Sequence, residues 1–167
     1  NCKVGAIDPF FLEETQAAAE FFVKHKKPFV TIDCRHDSYL HQHCAVNVVS
    51  KECTGCEQYK DKSVEEIYQL LTDTTDGLVI ITLGEKEMLY GRKGQPMKKM
   101  KPFSIEVKST LGAGDTFKAG CIYGLLHSMS DDELVRFASA CSAIAISRFP
   151  LPLNPPALAE VEELLSR

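Results

Sequence analysis

The stretch STLGAGDTFKAG, Ser109 to Gly120, is where this chain could do chemistry: three glycines surround one carboxylate, Asp115, and an apolar segment follows at once. Glycine lets backbone N–H groups turn toward a ligand with no side chain in the way. Where such a loop feeds a helix, the free N–H groups and the helix dipole together make an anion site. A carboxylate at the mouth of that site would repel a bound phosphate. It makes chemical sense as a base that takes a proton from an attacking hydroxyl, while the loop N–H groups hold the charge developing on the transferred group. Residue types alone leave a second reading open, in which Asp115 is simply the N-cap of the following helix. The Walker pattern GxxxxGK[ST] is absent, so a nucleotide would have to be held by other means.

A second group has ligand chemistry. His41, His43 and Cys44 in HQHC precede Cys53 and Cys56 in CTGC, giving imidazoles, a thiol and a CxxC within one neighbourhood. Zinc is one reading of that set, a redox dithiol another, incidental cysteines a third. Against zinc, the strand-like AVNVVS lies between the two clusters and carries them apart at about 3.3 Å per residue. Asp33 and Arg35 stand at the carboxyl end of another strand candidate, where α/β sheets bind ligands; a local salt bridge between the two is the alternative.

The elements that must position these groups alternate as βα units. CKVGAI, PFVTID, AVNVVS and GLVIITL read as strands, the last a continuous β-branched run suited to burial on both faces. FLEETQAAAEFFVKHKK carries Leu12, Ala18, Ala19 and Phe22 at helical spacing, and SVEEIYQLLTDTT opens with Ser63 and Glu66 in capping-box register. KEMLYGRKGQPMKKMKPFSIEVKS alternates, turns at Gly91 to Gly94 and breaks at its prolines, which predicts antiparallel strands at one side of the sheet; the lysines of PMKKMK fit a solvated edge. DTFKAGCIYGLLHS, SDDELVRFASACSAIAISR (capping box Ser130 and Glu133) and NPPALAEVEELLS (Asn154 as N-cap) read as helices. The expected class is α/β, one domain over residues 1–167 with a mostly parallel sheet, flanking helices and an antiparallel edge.

Composition removes several functions. With 167 residues, 44% hydrophobic and 25% charged, the chain can bury one real core. A formal charge of −4 gives no electrostatic reason to expect nucleic acid or an anionic membrane as partner. The longest apolar run, GLVIITL, is far too short to span a bilayer. Seven cysteines cannot all pair internally, and several fall in segments that read as buried, so a reducing, cytoplasmic setting is expected. The first residue is Asn1, which reads as a processed product or a piece of a longer chain.

The glycine loop closely resembles the second signature of the PfkB, or ribokinase-like, carbohydrate kinases, written D-T-x-G-A-G-D-x-F. VIITLGEKEMLYGRKG resembles that family's strand and turn beside the nucleotide, and NVVSKEC falls where the family has a polar, acidic segment supporting metal and phosphates. The resemblance runs over almost the whole chain and implies a ribokinase-like three-layer sandwich. It also implies an ATP-dependent sugar kinase in which Asp115 deprotonates a sugar hydroxyl and Gly112, Ala113 and Gly114 supply the anion hole. Thr82, Gly84, Thr110 and Glu52 would serve the nucleotide side, with Mg²⁺ bridging phosphates; no protein metal ligand is assigned. Three positions depart from the pattern. Ser109 stands where the family has an aspartate that helps hold an activating monovalent cation, so that cation is not carried over. Glu87 replaces a glycine of the TLGxxG turn, and the N-x-x-E segment survives only as Glu52, with Asn47 or Ser50 in place of its asparagine. Family members are about twice as long, so these residues correspond to a C-terminal portion. The N-terminal part and the lid, which grips the sugar and often makes a homodimer contact, would lie outside it. A non-catalytic nucleotide-binding or regulatory protein on a kinase-like scaffold is the alternative function.

Overall fold

The structure, a computed structural model, describes residues 2–167. The chain divides into two compact units, one ending at Lys101 and the other Pro102–Arg167.

The first unit is built on a six-stranded sheet: β1 (Gly5–Ala6), β2 (Phe29–Ile32), β3 (Val46–Ser50), β4 (Leu78–Thr82), β5 (Met88–Gly91) and β6 (Lys98–Met100). Order across the sheet repeats order along the chain. β1 to β4 pair in parallel, whereas β5 and β6 return antiparallel. The β-branched run of β4 suits its place, because Leu78, Val79, Ile80 and Ile81 are all fully buried. At the far edge, β6 exposes Lys98 and Lys99, which discourages pairing with another chain.

Four helices belong to this unit: α1 (Leu12–Lys24), α2 (Tyr39–His43), α3 (Lys51–Thr54) and α4 (Val64–Asp73). The expected capping box starts α4: Ser63 accepts from the Glu66 N–H while the Glu66 carboxylate accepts from the Ser63 N–H at 2.7 Å. That start fixes which face of α4 is apolar, and Ile67, Tyr68 and Leu71 pack with Val49, Val79, Ile81 and Leu89. Burial of each large aliphatic side chain there contributes about 1.5–3 kcal/mol before entropy is counted. The apolar stripe expected on α1 is wrong in part, since Leu12 is 82% exposed and Ala18 is exposed too. The Thr15 hydroxyl donates to the Asp8 carbonyl at 2.8 Å and turns Thr15 and Ala19 inward, with Phe22 and Val23 packed on Phe29, Cys34, Leu40 and Cys44.

The second unit contains α5 (Ala113–Leu126), α6 (Asp131–Ile146) and α7 (Leu158–Leu165). α6 opens on the expected Ser130–Glu133 capping box. Its residues Phe137, Ala140, Cys141 and Ile144 form one core with Val161 of α7. Two expectations are corrected here. Phe103–Lys108 adopts no regular strand, so the antiparallel edge ends at Met100. Asn154 does not cap α7: each residue before a proline is pushed away from helical angles, so Pro155 and Pro156 delay the start, and the cap is Ala157, whose N–H donates to Glu160 at 2.8 Å. Among the described residues no helix is long and apolar enough to cross a membrane.

Candidate active site

The glycine loop is held from both sides by α6. The N–H groups of Lys108 and Ser109 both donate to the Ile146 carbonyl at the end of α6, at 2.8 and 3.1 Å. Ser142, also on α6, donates to the Ala113 carbonyl at 3.1 Å. Between these anchors the backbone must reverse into a helix within four residues. It does so at Gly112, whose φ of +78° is left-handed and disfavoured for any residue with a Cβ. The Thr116 N–H then donates to the Gly112 carbonyl at 2.9 Å, the first bond of α5.

This geometry settles one of the two readings of Asp115. The N-cap of α5 is Gly112 and no side chain caps the helix, so Asp115, its third residue, is not the cap. Its side chain is 76% exposed above the first turn, with Lys118 Nζ 3.6 Å from Oδ1. Lys118 itself is only 9% exposed, so a buried cation lies against one side of an open carboxylate. Sequence reasoning passed over Lys118, although three residues on a helix is the spacing at which side chains meet. The first-turn N–H groups of Gly114 and Asp115 are among those a helix leaves without intrahelical partners. The Ala113 N–H instead donates to the Thr110 carbonyl at 3.2 Å, so the loop offers fewer inward N–H groups than its three residues suggest.

Thr82, Gly84 and Glu52 belong to the first unit, at the carboxyl ends of its parallel strands. Ser50 and Thr82 are paired in register at the ends of β3 and β4. Thr82 donates to the Val49 carbonyl at 3.4 Å, and Gly84 turns the chain with φ +68°. Glu52 is exposed on the first turn of α3. The alternative of a salt bridge between the neighbouring Asp33 and Arg35 does not form, since Arg35 pairs with Asp37 at 2.8 Å. The Asp33 carboxylate instead accepts from the Ser50 N–H at 2.6 Å and from its hydroxyl at 3.1 Å, tying β2 to the start of α3.

The zinc alternative fails on position. His41 is fully buried, and its Nε2–H donates to the Leu71 carbonyl at 3.0 Å. That bond leaves Nδ1 to accept from the Asn47 amide at 2.8 Å. Burial holds this imidazole below its usual pKa, as a neutral group. Cys44 is buried before β3, His43 bonds to the Tyr39 carbonyl on α2, and Cys53 and Cys56 follow β3. Among the described residues no three of His, Cys, Asp and Glu could hold a metal ion. Asn47, also fully buried, donates to the Cys34 carbonyl as well and serves as a core clamp.

Comparison with known proteins identifies the family and the fold. Residues 40–151 match the pfkB family carbohydrate kinase, and the chain belongs to that family. It is 33% identical over 112 residues to a ribokinase of Haemophilus influenzae, a match covering 67% of this chain and 36% of that protein. It is 38% identical over 88 residues to a 1-phosphofructokinase of Escherichia coli K12, covering 52% of this chain and 28% of that protein. A putative ribokinase II of Escherichia coli, solved in complex with ATP and Mg²⁺, superposes with a TM-score of 0.82 at 16% identity, over 99% of this chain and 59% of that one. The fold is therefore the α/β ribokinase-like fold, and the chain spans about a third of the length of the curated relatives it matches.

Proposed function

We propose that these residues form the nucleotide-binding and catalytic portion of a sugar kinase that moves the γ-phosphoryl group of ATP to a hydroxyl of a sugar or sugar-like alcohol. One observation carries the reading. A helix N-terminus entered through a left-handed glycine has an uncapping, exposed carboxylate three residues in, beside a buried lysine. An aspartate needed only for the turn would cap it, and this one does not.

In the mechanism, Asp115 accepts the proton of the sugar hydroxyl as its oxygen attacks phosphorus in line, and the ADP oxygen leaves with the electron pair of the breaking P–O bond. The N–H groups of Gly112 and Gly114 face the charge that develops on the transferred group, with Ala113 joining as its turn bond to Thr110 is exchanged for a ligand. Lys118 steadies the Asp115 carboxylate through their 3.6 Å contact. By the family resemblance, Thr82 and Gly84 of the first unit and Thr110 of the second would each serve the nucleotide. Glu52, an exposed carboxylate on the first turn of α3, would serve the nucleotide side by the family resemblance, and Mg²⁺, when bound, would supply charge neutralisation on the phosphates.

The test is Asp115→Asn, measured by ATP–Mg²⁺ calorimetry and by phosphoryl transfer to a panel of sugars. Turnover should fall by about 10²–10⁴-fold with nucleotide affinity nearly unchanged. A variant that keeps near-normal turnover removes Asp115 from the role of base.

A further inference from the structure

We infer that Cys53 and Cys56 form a two-electron redox site, closing reversibly into an intramolecular disulfide by exchange with a small-molecule disulfide. Four observations support it, and none depends on kinase activity.

The chain between the two cysteines is already a closed turn. The Cys56 N–H donates to the Cys53 carbonyl at 3.2 Å, across Thr54 and Gly55. Residues three apart in such a helical turn have Cα atoms about 5 Å apart, inside the range a disulfide spans without moving backbone. Both side chains are carried by this one short turn. Both pack over the rim of the core that holds Tyr59 and Leu71, which restricts the rotations that would separate them.

Access singles this pair out. Cys34, Cys44, Cys121 and Cys141 are buried, and Cys2 is exposed but far along the chain from any other reachable thiol. Cys53 and Cys56 alone are both half-exposed and adjacent. Their surroundings also divide the labour. The Cys53 thiol donates to the Asp33 carbonyl at 3.9 Å, and burial with the Asp33 charge nearby pushes it up to about 12, so Cys53 keeps its proton longer and acts second. Cys56 attacks.

The exchange balances. The Cys56 sulfur, having given its proton to solvent, attacks one sulfur of an oxidised glutathione and forms a mixed disulfide, and one glutathione thiolate leaves. Cys53 then attacks Cys56 as its proton passes to the second departing glutathione. Two protein thiols are oxidised by two electrons, and one glutathione disulfide is reduced to two thiols. The bond would lock the turn immediately after Glu52 and below Ser50, whose hydroxyl accepts the Cys53 N–H at 3.1 Å.

The experiment incubates the folded, reduced chain with oxidised glutathione, quenches with acid, alkylates and reads the digest by mass spectrometry. The wild-type peptide carrying both cysteines should resist alkylation and weigh about 2 Da less than its reduced, unalkylated form, with dithiothreitol reversing the change. Cys53→Ser should accumulate glutathione on Cys56, and Cys56→Ser should leave Cys53 reduced. Wild-type protein that remains alkylatable at both positions overturns the inference, as does a mixed disulfide that persists on wild-type Cys56. The wild-type result decides the matter by itself should either variant fold poorly.

Discussion

Replacing Gly120 by alanine sets two effects of opposite sign against each other. In mid-helix, alanine is favoured over glycine by about 1 kcal/mol, because glycine loses more backbone freedom on folding. Space opposes it. A Cβ at position 120 would lie 2.6 Å from Cα and 3.4 Å from N of Ala138. Those are backbone atoms of α6 and cannot rotate away, so α5 and α6 must part by roughly 1 Å to restore normal contact in a close-packed interior. Overpacking of that kind costs about 1–3 kcal/mol, and the parting also thins the packing along the helix pair. The steric term wins, leaving a net loss of up to about 2 kcal/mol and a fall in thermal midpoint of up to about 8 °C for a chain of this size. Gly124→Ala is the control. Its Cβ would meet Leu134 Cγ at 2.7 Å and Cδ1 at 3.1 Å, which a change of rotamer can move, and Leu134 Cβ at 3.2 Å, which needs a shift of only a few tenths of an ångström. That variant should stay within about 1 kcal/mol of wild type. Circular-dichroism melts and urea titrations of both variants give the comparison. Gly120→Ala melting at or above wild type, or Gly124→Ala proving the more damaging, would refute the backbone-contact argument.

Gly84→Ala has open space for its Cβ, so only left-handed backbone strain acts, and a loss of about 1–2 kcal/mol should appear in the same melts. Ser130→Ala removes one half of the α6 capping box and should cost about 1 kcal/mol, measured by urea titration. His41 is neutral and buried with a lowered pKa, so the unfolded chain binds the extra proton first as acid is added. Its contribution is complete above the ordinary histidine value near 6.5 and is lost as pH falls from there toward the folded value. Stability measured at successive pH values should show that slope, and His41→Gln should flatten it while lowering stability at pH 7.5.

Much of the fold was legible because its signals are local. Ser63 with Glu66 and Ser130 with Glu133 announce their helices within four residues, and GLVIITL announces a doubly buried strand by composition alone. What escaped depends on partners distant in sequence. Asp33 looks like the mate of Arg35 two residues on, yet parallel register brings it to Ser50, seventeen residues away. His41 looks like a metal ligand until Leu71, thirty residues on, claims its Nε2–H. The face of α1 escaped because the Asp8 carbonyl sets its rotation through Thr15, a contact no periodicity encodes. At the candidate site the loop and its glycine were readable, while the burial of Lys118 beside Asp115 required coordinates.

The strand order has a consequence for how the chain is made. Each strand of the sheet pairs only with the strands synthesised immediately before and after it. As the polypeptide leaves the ribosome, each strand from β2 to β6 therefore finds the edge of its preceding neighbour already present. Assembly of these strands can follow the chain, one helical crossover or hairpin at a time, with β6 blunting its edge with Lys98 and Lys99.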